Sequence, residues 1–252
     1  MKKTAFITGA SSGIGAACAR RFSKEGYNLI ILARRKDAME SLVKELVTRT
    51  HIIDVDIKNS NELENKLLQI PDELKNIDVL VNCAGITLGE GPVHKAQLSD
   101  WMNMIDVNIK GLTACTRMVL PRMVERNKGH IINIGSTAGT YPRPGNPIYV
   151  ASKAFTKQFS LALRADLKGS NVRVTSIEPG TVKNTELALG RLGNDRNRLK
   201  SLYDDYDYLE PEDVAESVFW VTQLPARVNI NRIDLMATCQ TFSNLQSQKK
   251  DI

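Results

Sequence analysis

Short apolar, β-branched runs alternate with longer amphipathic segments along the 252 residues of the chain. The short runs predict strands at Thr4–Thr8, Asn28–Ala33, His51–Asp54, Asp78–Asn82, His130–Ile134, Arg173–Glu178 and Ile233–Met236. The amphipathic segments predict helices at Gly13–Lys24, Asp37–Thr48, Asn61–Gln69, Asp100–Arg126, Tyr149–Lys168 and Glu212–Thr222. Alternating strands and helices form parallel βαβ units, so we expect an α/β protein. Its fold should be a single-domain Rossmann fold, a doubly wound parallel β-sheet with helices on both faces.

The length suits one domain, which we place at residues 1–240, followed by a polar C-terminal tail at 241–252. The segment Leu187–Tyr208 is polar, rich in charge and weakly periodic. It is long for a connection in a compact domain, so it predicts a mobile lid over a ligand site.

Composition narrows the classes of function. The formal net charge is +6, but the basic residues are spread along the chain. No basic block is interleaved with aromatic residues, so we expect no nucleic-acid partner.

No apolar run reaches the roughly 18 residues of a membrane span, and the short apolar start runs into a Gly-rich turn, so a cytoplasmic protein is expected. The cysteines are scattered, which favours free thiols over disulfides or a metal site.

The Gly-rich segment Thr8–Gly15 directly follows the first predicted strand. Gly9 would allow a sharp turn, Gly13 would let a pyrophosphate approach the backbone, and Gly15 would let the first helix pack closely on the sheet. The start of that helix would offer free N–H groups to phosphate oxygens. The segment therefore predicts a dinucleotide site.

Arg34 and Arg35 follow the second predicted strand. Sites that prefer NAD usually carry an acidic residue there, which binds the ribose 2′-hydroxyl. A guanidinium group instead suits a phosphate, through paired charge-assisted hydrogen bonds. The cofactor is thus expected to be NADP rather than NAD.

Tyr149 and Lys153 stand four residues apart and so share one face of a helix. A free tyrosine has a pKa near 10, and a neighbouring ammonium group favours the phenolate, so Lys153 should lower the pKa of Tyr149. Ser136 follows a predicted strand at the edge where ligands bind in such sheets, and Asn108 lies within a long predicted helix. Together these four residues indicate proton transfer coupled to hydride transfer.

With these motifs the chain resembles the classical short-chain dehydrogenase/reductases over nearly its whole length. The matching pieces are Thr8–Gly15, Asn82–Gly85, Asn108, Ser136, Tyr149, Lys153 and Pro179-Gly180. The resemblance implies that Tyr149 is the acid–base, Ser136 an oxyanion partner, Lys153 a ligand of the nicotinamide ribose and Asn108 part of a proton relay. It implies cofactor contacts at Gly9, Ser11, Ser12, Gly13, Ile14, Gly15, Arg34, Arg35, Asp56, Ile57, Asn82, Cys83, Ala84, Gly85, Tyr149, Lys153, Pro179, Gly180, Thr181, Val182 and Thr185. Cys83 departs from the family pattern, which has a second asparagine there.

A narrower resemblance is to the bacterial NADP-dependent 3-hydroxy acid dehydrogenases. It is carried by 123–127, 129–139, Ile177–Gly180 and Leu224–Asn231. It implies oxidation of small 3-hydroxy acids such as serine, allo-threonine and 3-hydroxypropionate-like acids, or reduction of the corresponding semialdehydes. It also implies a homotetramer packed through the two longest predicted helices.

A hydroxy acid needs a cation for its carboxylate. Arg143 and Arg191 are the candidates by position, with Lys183 as a third, so we expect Ser136, Tyr149, Arg143 and Arg191 to bind substrate. Two alternatives stay open. One is an NADPH-dependent carbonyl or 3-oxoacyl reductase of the same superfamily, and the other is a non-catalytic NADP-sensing protein.

Overall fold

The computed structural model describes residues 2–89, 91–193 and 195–242. Within them a parallel sheet of seven strands has the order β3-β2-β1-β4-β5-β6-β7. The strands are β1 Thr4–Thr8, β2 Asn28–Ala33, β3 Thr50–Asp54, β4 Ile77–Asn82, β5 Gly129–Ile134, β6 Val172–Pro179 and β7 Arg232–Leu235. The helices are α1 Gly13–Lys24, α2 Lys36–Val43, α3 Ser60–Leu68, α4 Leu98–Ile105, α5 Leu112–Glu125, α6 Pro147–Asp166, α7 Glu186–Arg191, α8 Arg196–Tyr203 and α9 Pro211–Gln223. The predicted doubly wound fold is confirmed.

The sheet is buried on both faces because its strand residues alternate between two apolar clusters. In β1, Ala5 and Ile7 join the cluster formed with α1, α2 and α9, whereas Phe6 joins the cluster formed with α3 and α5. All three side chains are fully buried. Continuous β-branched runs are therefore the expected sequence for these central strands.

The strand order reverses between β1 and β4, which both pair in parallel with their outer neighbours. At such a switch point the loops that leave the two strands diverge and open a crevice at the carboxyl ends. The loops after β1, β4, β5 and β6 carry the Gly-rich turn, Cys83–Gly85, Ser136 and Gly180. The topology thus gathers the predicted motifs at one edge of the sheet.

The prediction of a single long helix at Asp100–Arg126 is wrong, because a π-helical turn at Asp106–Gly111 separates α4 from α5. The helix expected to reach Thr48 also ends earlier, at Val43. There, Ser23 Oγ accepts a hydrogen bond from Val47 N–H at 2.9 Å, which holds the chain against α1 instead of letting the helix continue. The predicted lid segment contains α7 and α8, and its mobility stays a prediction.

The predicted C-terminal tail lies outside the described residues from position 243 onward. Just before it, Gln240 Oε1 accepts a hydrogen bond from Thr181 N–H at 2.9 Å, and Phe242 stacks on Tyr141 with ring centroids 4.9 Å apart. None of the described helices is both long enough and apolar enough to cross a membrane.

His130 makes stability depend on pH. It is 2% exposed, its Nε2 lies 2.8 Å from Thr175 Oγ1, and its Nδ1 has no hydrogen-bond partner among the described residues. Burial, and secondarily Arg173, lowers the pKa of His130 to about 3. Between pH 6.5 and 3 the unfolded chain therefore binds the extra proton, so stability falls as the pH drops through this window.

Because of His130, we expect the free energy of unfolding to fall by about 2 kcal/mol when the pH is lowered from 7.5 to 5. Thermal unfolding of His130→Gln, whose amide can still bond Thr175, should show a smaller loss of Tm between these two pH values than the wild type. His94→Gln, at an exposed histidine, is the control and should behave as the wild type. An equal loss in all three proteins would contradict the assignment.

Candidate active site

A cleft of about 930 Å³ opens along the carboxyl ends of the strands. One end is formed by the Gly-rich turn and the loop after β2, and the other by Ser136, Tyr149 and residues of the lid. A cleft of this size and shape can hold a dinucleotide with a small molecule at one end.

The Gly-rich turn fits tightly against its surroundings. Gly9 and Gly13 have φ values of +71° and +52°, which only glycine adopts readily. A side chain at Gly15 would collide with the carbonyl of Gly9. The start of α1 can therefore pack this closely on the turn only because position 15 is a glycine. Thr8 Oγ1 accepts hydrogen bonds from Cys83 N–H and Ala84 N–H, both at 3.0 Å, which joins the turn to the loop after β4.

Cys83, at the position where the resembled family has an asparagine, is partly buried against the apolar cluster formed with α1, α2 and α9. Burial raises the pKa of its thiol to about 12, so the side chain stays neutral. Its neighbour Asn82 donates from Nδ2 to Thr116 Oγ1 at 2.9 Å and to Asn133 Oδ1 at 2.8 Å. Asn82 therefore holds β4 to both α5 and β5.

Arg34 and Arg35 line the far end of the cleft, as expected for a phosphate site. Arg35 is held by the hydroxyls of Ser11 and Ser12, at 3.0 and 3.1 Å, and by both carboxylate oxygens of Glu186, at 2.6 and 2.7 Å. Glu186 begins α7, the helix that leads into the predicted lid, so this ion pair connects the start of that helix to the loop after β2. Sequence reasoning missed Glu186, because an acidic residue in a charge-rich segment looks like a solvated one.

Most of the remaining residues predicted to contact the cofactor also line the cleft. These are Gly9, Gly13, Ile14, Asp56, Ile57, Cys83, Ala84, Gly85, Pro179, Gly180, Thr181, Val182 and Thr185. Gly15 and Asn82 do not line it and instead lie behind its wall, where they pack the turn and the central strands.

Tyr149 and Lys153 project from the first turns of α6. Asn146 caps this helix by accepting a hydrogen bond from Tyr149 N–H at 3.1 Å, and Pro147 occupies its first turn. Lys153 Nζ lies 5.8 Å from the centre of the Tyr149 ring and donates to Ile134 O at 2.9 Å. The predicted shared face is confirmed, and the lysine, 6% exposed, is buried beside the tyrosine.

The electrostatics of Tyr149 differ from the expectation. Burial raises its pKa above the ordinary value of a tyrosine, and the charge of Glu178 raises it further, while a hydrogen bond with Ser136 and the charges of Arg143 and Arg191 oppose this. Burial also lowers the pKa of Lys153. The expectation that Lys153 supplies part of a lowering of the Tyr149 pKa stays a prediction, because burial is the largest contribution here and it raises this pKa.

Ser136 follows β5 and caps a 3₁₀ turn at Thr137–Gly139. Its Oγ accepts from Ala138 N–H at 3.1 Å and donates to Pro179 O at 3.4 Å. Its hydroxyl is thus held between the end of β5 and the end of β6, on the same side of the cleft as Tyr149.

Asn108 lies in the π-helical turn and does not line the cleft. Its Oδ1 accepts from Ile86 N–H at 2.8 Å, and its Nδ2 donates to Ile86 O at 2.9 Å and to Ser152 Oγ at 3.0 Å. A side chain at Gly85 would lie 3.5 Å from both Asn108 Oδ1 and Lys153 Nζ. Asn108 Oδ1 and Lys153 Nζ therefore both lie close to Gly85.

Arg143 and Arg191 both line the cleft near Tyr149, as predicted. Arg191 Nε is buried and, in the part of the chain that the structure describes, has no hydrogen-bond partner. Lys183 does not line the cleft, because its ammonium pairs with Glu210 at 3.1 Å and Asp207 at 3.7 Å. The sequence-based choice of Lys183 as a substrate cation is therefore wrong.

Comparison with known proteins agrees with this site. The family model of the short chain dehydrogenases matches residues 3–192. The chain is 47% identical over 244 residues to the NADP-dependent 3-hydroxy acid dehydrogenase YdfG of Escherichia coli K12, covering 97% of this chain and 98% of that protein. It is 42% identical to sulfoacetaldehyde reductase 2 of Chromohalobacter salexigens, covering 96% and 97%.

Among solved structures, the closed form of serine dehydrogenase complexed with NADP+ matches with a TM-score of 0.96 and 46% identity, covering 98% of this chain and 100% of that one. Actinorhodin polyketide ketoreductase with NADPH matches with a TM-score of 0.81 and 28% identity, covering 92% and 95%. The fold, the cleft and these similarities together show that the chain belongs to the short chain dehydrogenase family.

Proposed function

We propose that the protein is an NADP-dependent oxidoreductase that interconverts small 3-hydroxy acids, such as serine and allo-threonine, with their 3-oxo or semialdehyde forms. The observation that carries the proposal is the composition of one end of the cleft. There the Tyr149 hydroxyl, the Ser136 hydroxyl and two arginines meet. This set can move a proton on an alcohol and hold an acidic group next to it.

The residues at the other end fit NADP. The turn at Gly9–Gly15 leads into the start of α1, where free N–H groups favour a pyrophosphate. Hydrogen-bond donors lie close together where the second strand ends, on the side chains of Arg34, Arg35 and Ser11. Such a group of donors suits a ribose 2′-phosphate. When bound, NADP supplies the hydride acceptor, and its oxidised ring carries positive charge.

The chain's own groups handle the proton. Tyr149 as phenolate takes the proton of the substrate hydroxyl, and the Ser136 hydroxyl holds the substrate oxygen while charge develops on it. Burial opposes the phenolate, so the positive charges of Arg143 and Arg191 matter for the reaction as well as for binding. In reduction the same groups act in reverse.

Lys153 and Asn108 complete the proposed machinery. Lys153 Nζ uses one donor on Ile134 O, which leaves two for a ribose hydroxyl and a water. Asn108 bonds both backbone groups of Ile86 through its amide, so its part in the relay is to fix the wall beside Lys153. That relay stays a prediction.

The substrate's acidic group is assigned to Arg143 and Arg191. Arg191 carries a buried N–H for which the described residues offer no acceptor, so a carboxylate entering the cleft would satisfy it. A sulfonate, the acidic group in the name of one relative, could use the same donors.

Replacing Arg191 or Arg143 by Met should raise the KM for a 3-hydroxy acid about 10–100-fold and leave that for its methyl ester unchanged. The expected reason is the loss of one charge-assisted hydrogen bond to the carboxylate. The measurement is steady-state oxidation with NADP, using acid and ester in parallel. Lys183→Met is the matched control, since this cation lies outside the cleft.

A wild type that oxidises acid and ester equally well would favour the carbonyl or 3-oxoacyl reductase. Tight NADP binding without turnover of any hydroxy acid, hydroxysulfonate or ketone would favour the sensing protein. The homotetramer also stays a proposal, supported by exposed apolar side chains on α4 and α6, namely Leu98, Met102 and Leu161.

A further inference from the structure

Glu178 is a buried acidic residue that the proposed reaction has not yet used. It lies at the carboxyl end of β6, directly before Pro179, and is 0% exposed. A buried carboxylate is strongly unfavourable unless hydrogen bonds and charges compensate it. The burial of this carboxylate, one strand away from Ser136, therefore needs compensating contacts.

Both oxygens of Glu178 accept hydrogen bonds. Oε2 accepts from Ser136 N–H at 2.7 Å, and Oε1 accepts from Ser176 Oγ–H at 2.5 Å. An ionised carboxylate is an acceptor at both oxygens, whereas a protonated one must donate from one of them. The Ser136 N–H can only donate, so Oε2 is an acceptor, and with the Ser176 hydroxyl donating to Oε1 the arrangement suits the ionised carboxylate.

Gly135 gives the carboxylate its access to the backbone. A side chain at this position would collide with Oε2 and Oε1 of Glu178. Gly135 N–H also donates to Ile177 O at 2.7 Å, so the peptides of Gly135 and Ser136 are both fixed to the end of β6. The carboxylate thus holds the residue whose hydroxyl faces the cleft.

The charges around Glu178 come from two elements. Burial raises the pKa of Glu178 above its ordinary value; the hydrogen bonds from Ser176 and Ser136 and the charge of Lys153 on α6 oppose this, while Asp234, the partner of Glu178 in register on β7, adds to it. Glu178 in turn acts on Tyr149 and raises the pKa of the phenol. Around the phenol itself, Glu178 is the negative group that opposes the positive charges of Arg143 and Arg191.

We propose that Glu178 is a positioning residue for proton transfer: its carboxylate fixes the Ser136 peptide, and its charge balances the cations around Tyr149. The first role keeps the Ser136 hydroxyl in place for the substrate oxygen. The second role favours the protonated phenol, which a reductase must keep in order to donate its proton at neutral pH. This inference rests on the proposed function.

The test uses Glu178→Gln, which keeps the shape and an acceptor oxygen for Ser136 N–H but removes the charge. The kcat/KM for oxidation of a hydroxy acid rises with pH as Tyr149 ionises. Without the negative charge this rising limb should move to lower pH by about one unit, with the KM for NADP unchanged. A purely structural role would lower activity without moving the limb.

Two further variants separate the roles. Glu178→Asp keeps the charge but is too short to bond Ser136, so it should lower kcat about 10-fold with the limb in place. Asp234→Asn removes a carboxylate from the neighbouring strand that pairs with Arg232 at 2.7 Å, and it should match the wild type.

The outcomes are distinguishable. If the wild type turns over but the limb of Glu178→Gln stays where it was, or shifts as much in Asp234→Asn, the inference is overturned. If Glu178→Gln fails to bind NADP, Glu178→Asp decides, and wild-type kcat in that variant would overturn it. A wild type that turns over nothing refutes the proposed function instead.

Discussion

Tyr149→Phe should lower kcat about 10²–10⁴-fold, the range that a positioned acid–base group contributes, while leaving the affinity for NADP unchanged. The phenol oxygen is the one group of the side chain that can take the proton, and Tyr149 lines the described cleft together with Ser136. The phenylalanine ring fills the same space, so α6 and its cap at Asn146 should stay intact.

Single-turnover absorbance of NADPH would measure the chemical step, and fluorescence titration would measure cofactor binding. Tyr27→Phe is the matched control, because it removes the same atom from a buried tyrosine that precedes β2, at the opposite end of the sheet. A fall of less than about fivefold in Tyr149→Phe would mean that another group moves the proton.

The central sheet could be predicted from sequence because its signal is local. Thr4–Thr8 and Asn28–Ala33 are apolar, β-branched runs whose bounds agree with β1 and β2. Burial on both faces demands such runs, so pattern and fold carry the same information. The Gly-rich turn was visible for a similar reason, because positive φ at Gly9 and Gly13 admits few other residues.

The parts that the sequence did not reveal depend on contacts between distant segments. The π-helical turn around Asn108 is stabilised by hydrogen bonds to Ile86, 22 residues away. Glu186 meets Arg35 across 151 residues, and Glu178 meets Ser136 across 42. An acidic residue in a lid or at a strand end has no local pattern that distinguishes these partners. The desolvation that raises the pKa of Tyr149 likewise depends on the packed cleft.

Arg35→Ser should weaken NADPH binding about 10–100-fold and leave NADH binding nearly unchanged, so that the preference for the phosphorylated cofactor collapses. Two effects add in this direction. The variant removes a guanidinium that suits the 2′-phosphate, and it removes the ion pair that Arg35 forms at 2.6 Å with the Glu186 carboxylate, which borders the proposed phosphate site.

The second effect makes the prediction sharper. If Glu186 repels the phosphate once Arg35 is gone, Arg35→Ser combined with Glu186→Gln should recover part of the lost affinity for NADPH but none for NADH. Arg20→Ser is the matched control, because Arg20 pairs with Glu45 at the same 2.6 Å and with similar exposure, yet lies outside the cleft.

Titrations of each variant with NADPH and with NADH at fixed ionic strength would measure these affinities. An equal loss for both cofactors would place Arg35 against the shared part of the dinucleotide, and a double variant no better than the single one would show that Glu186 acts only as a tether for the lid.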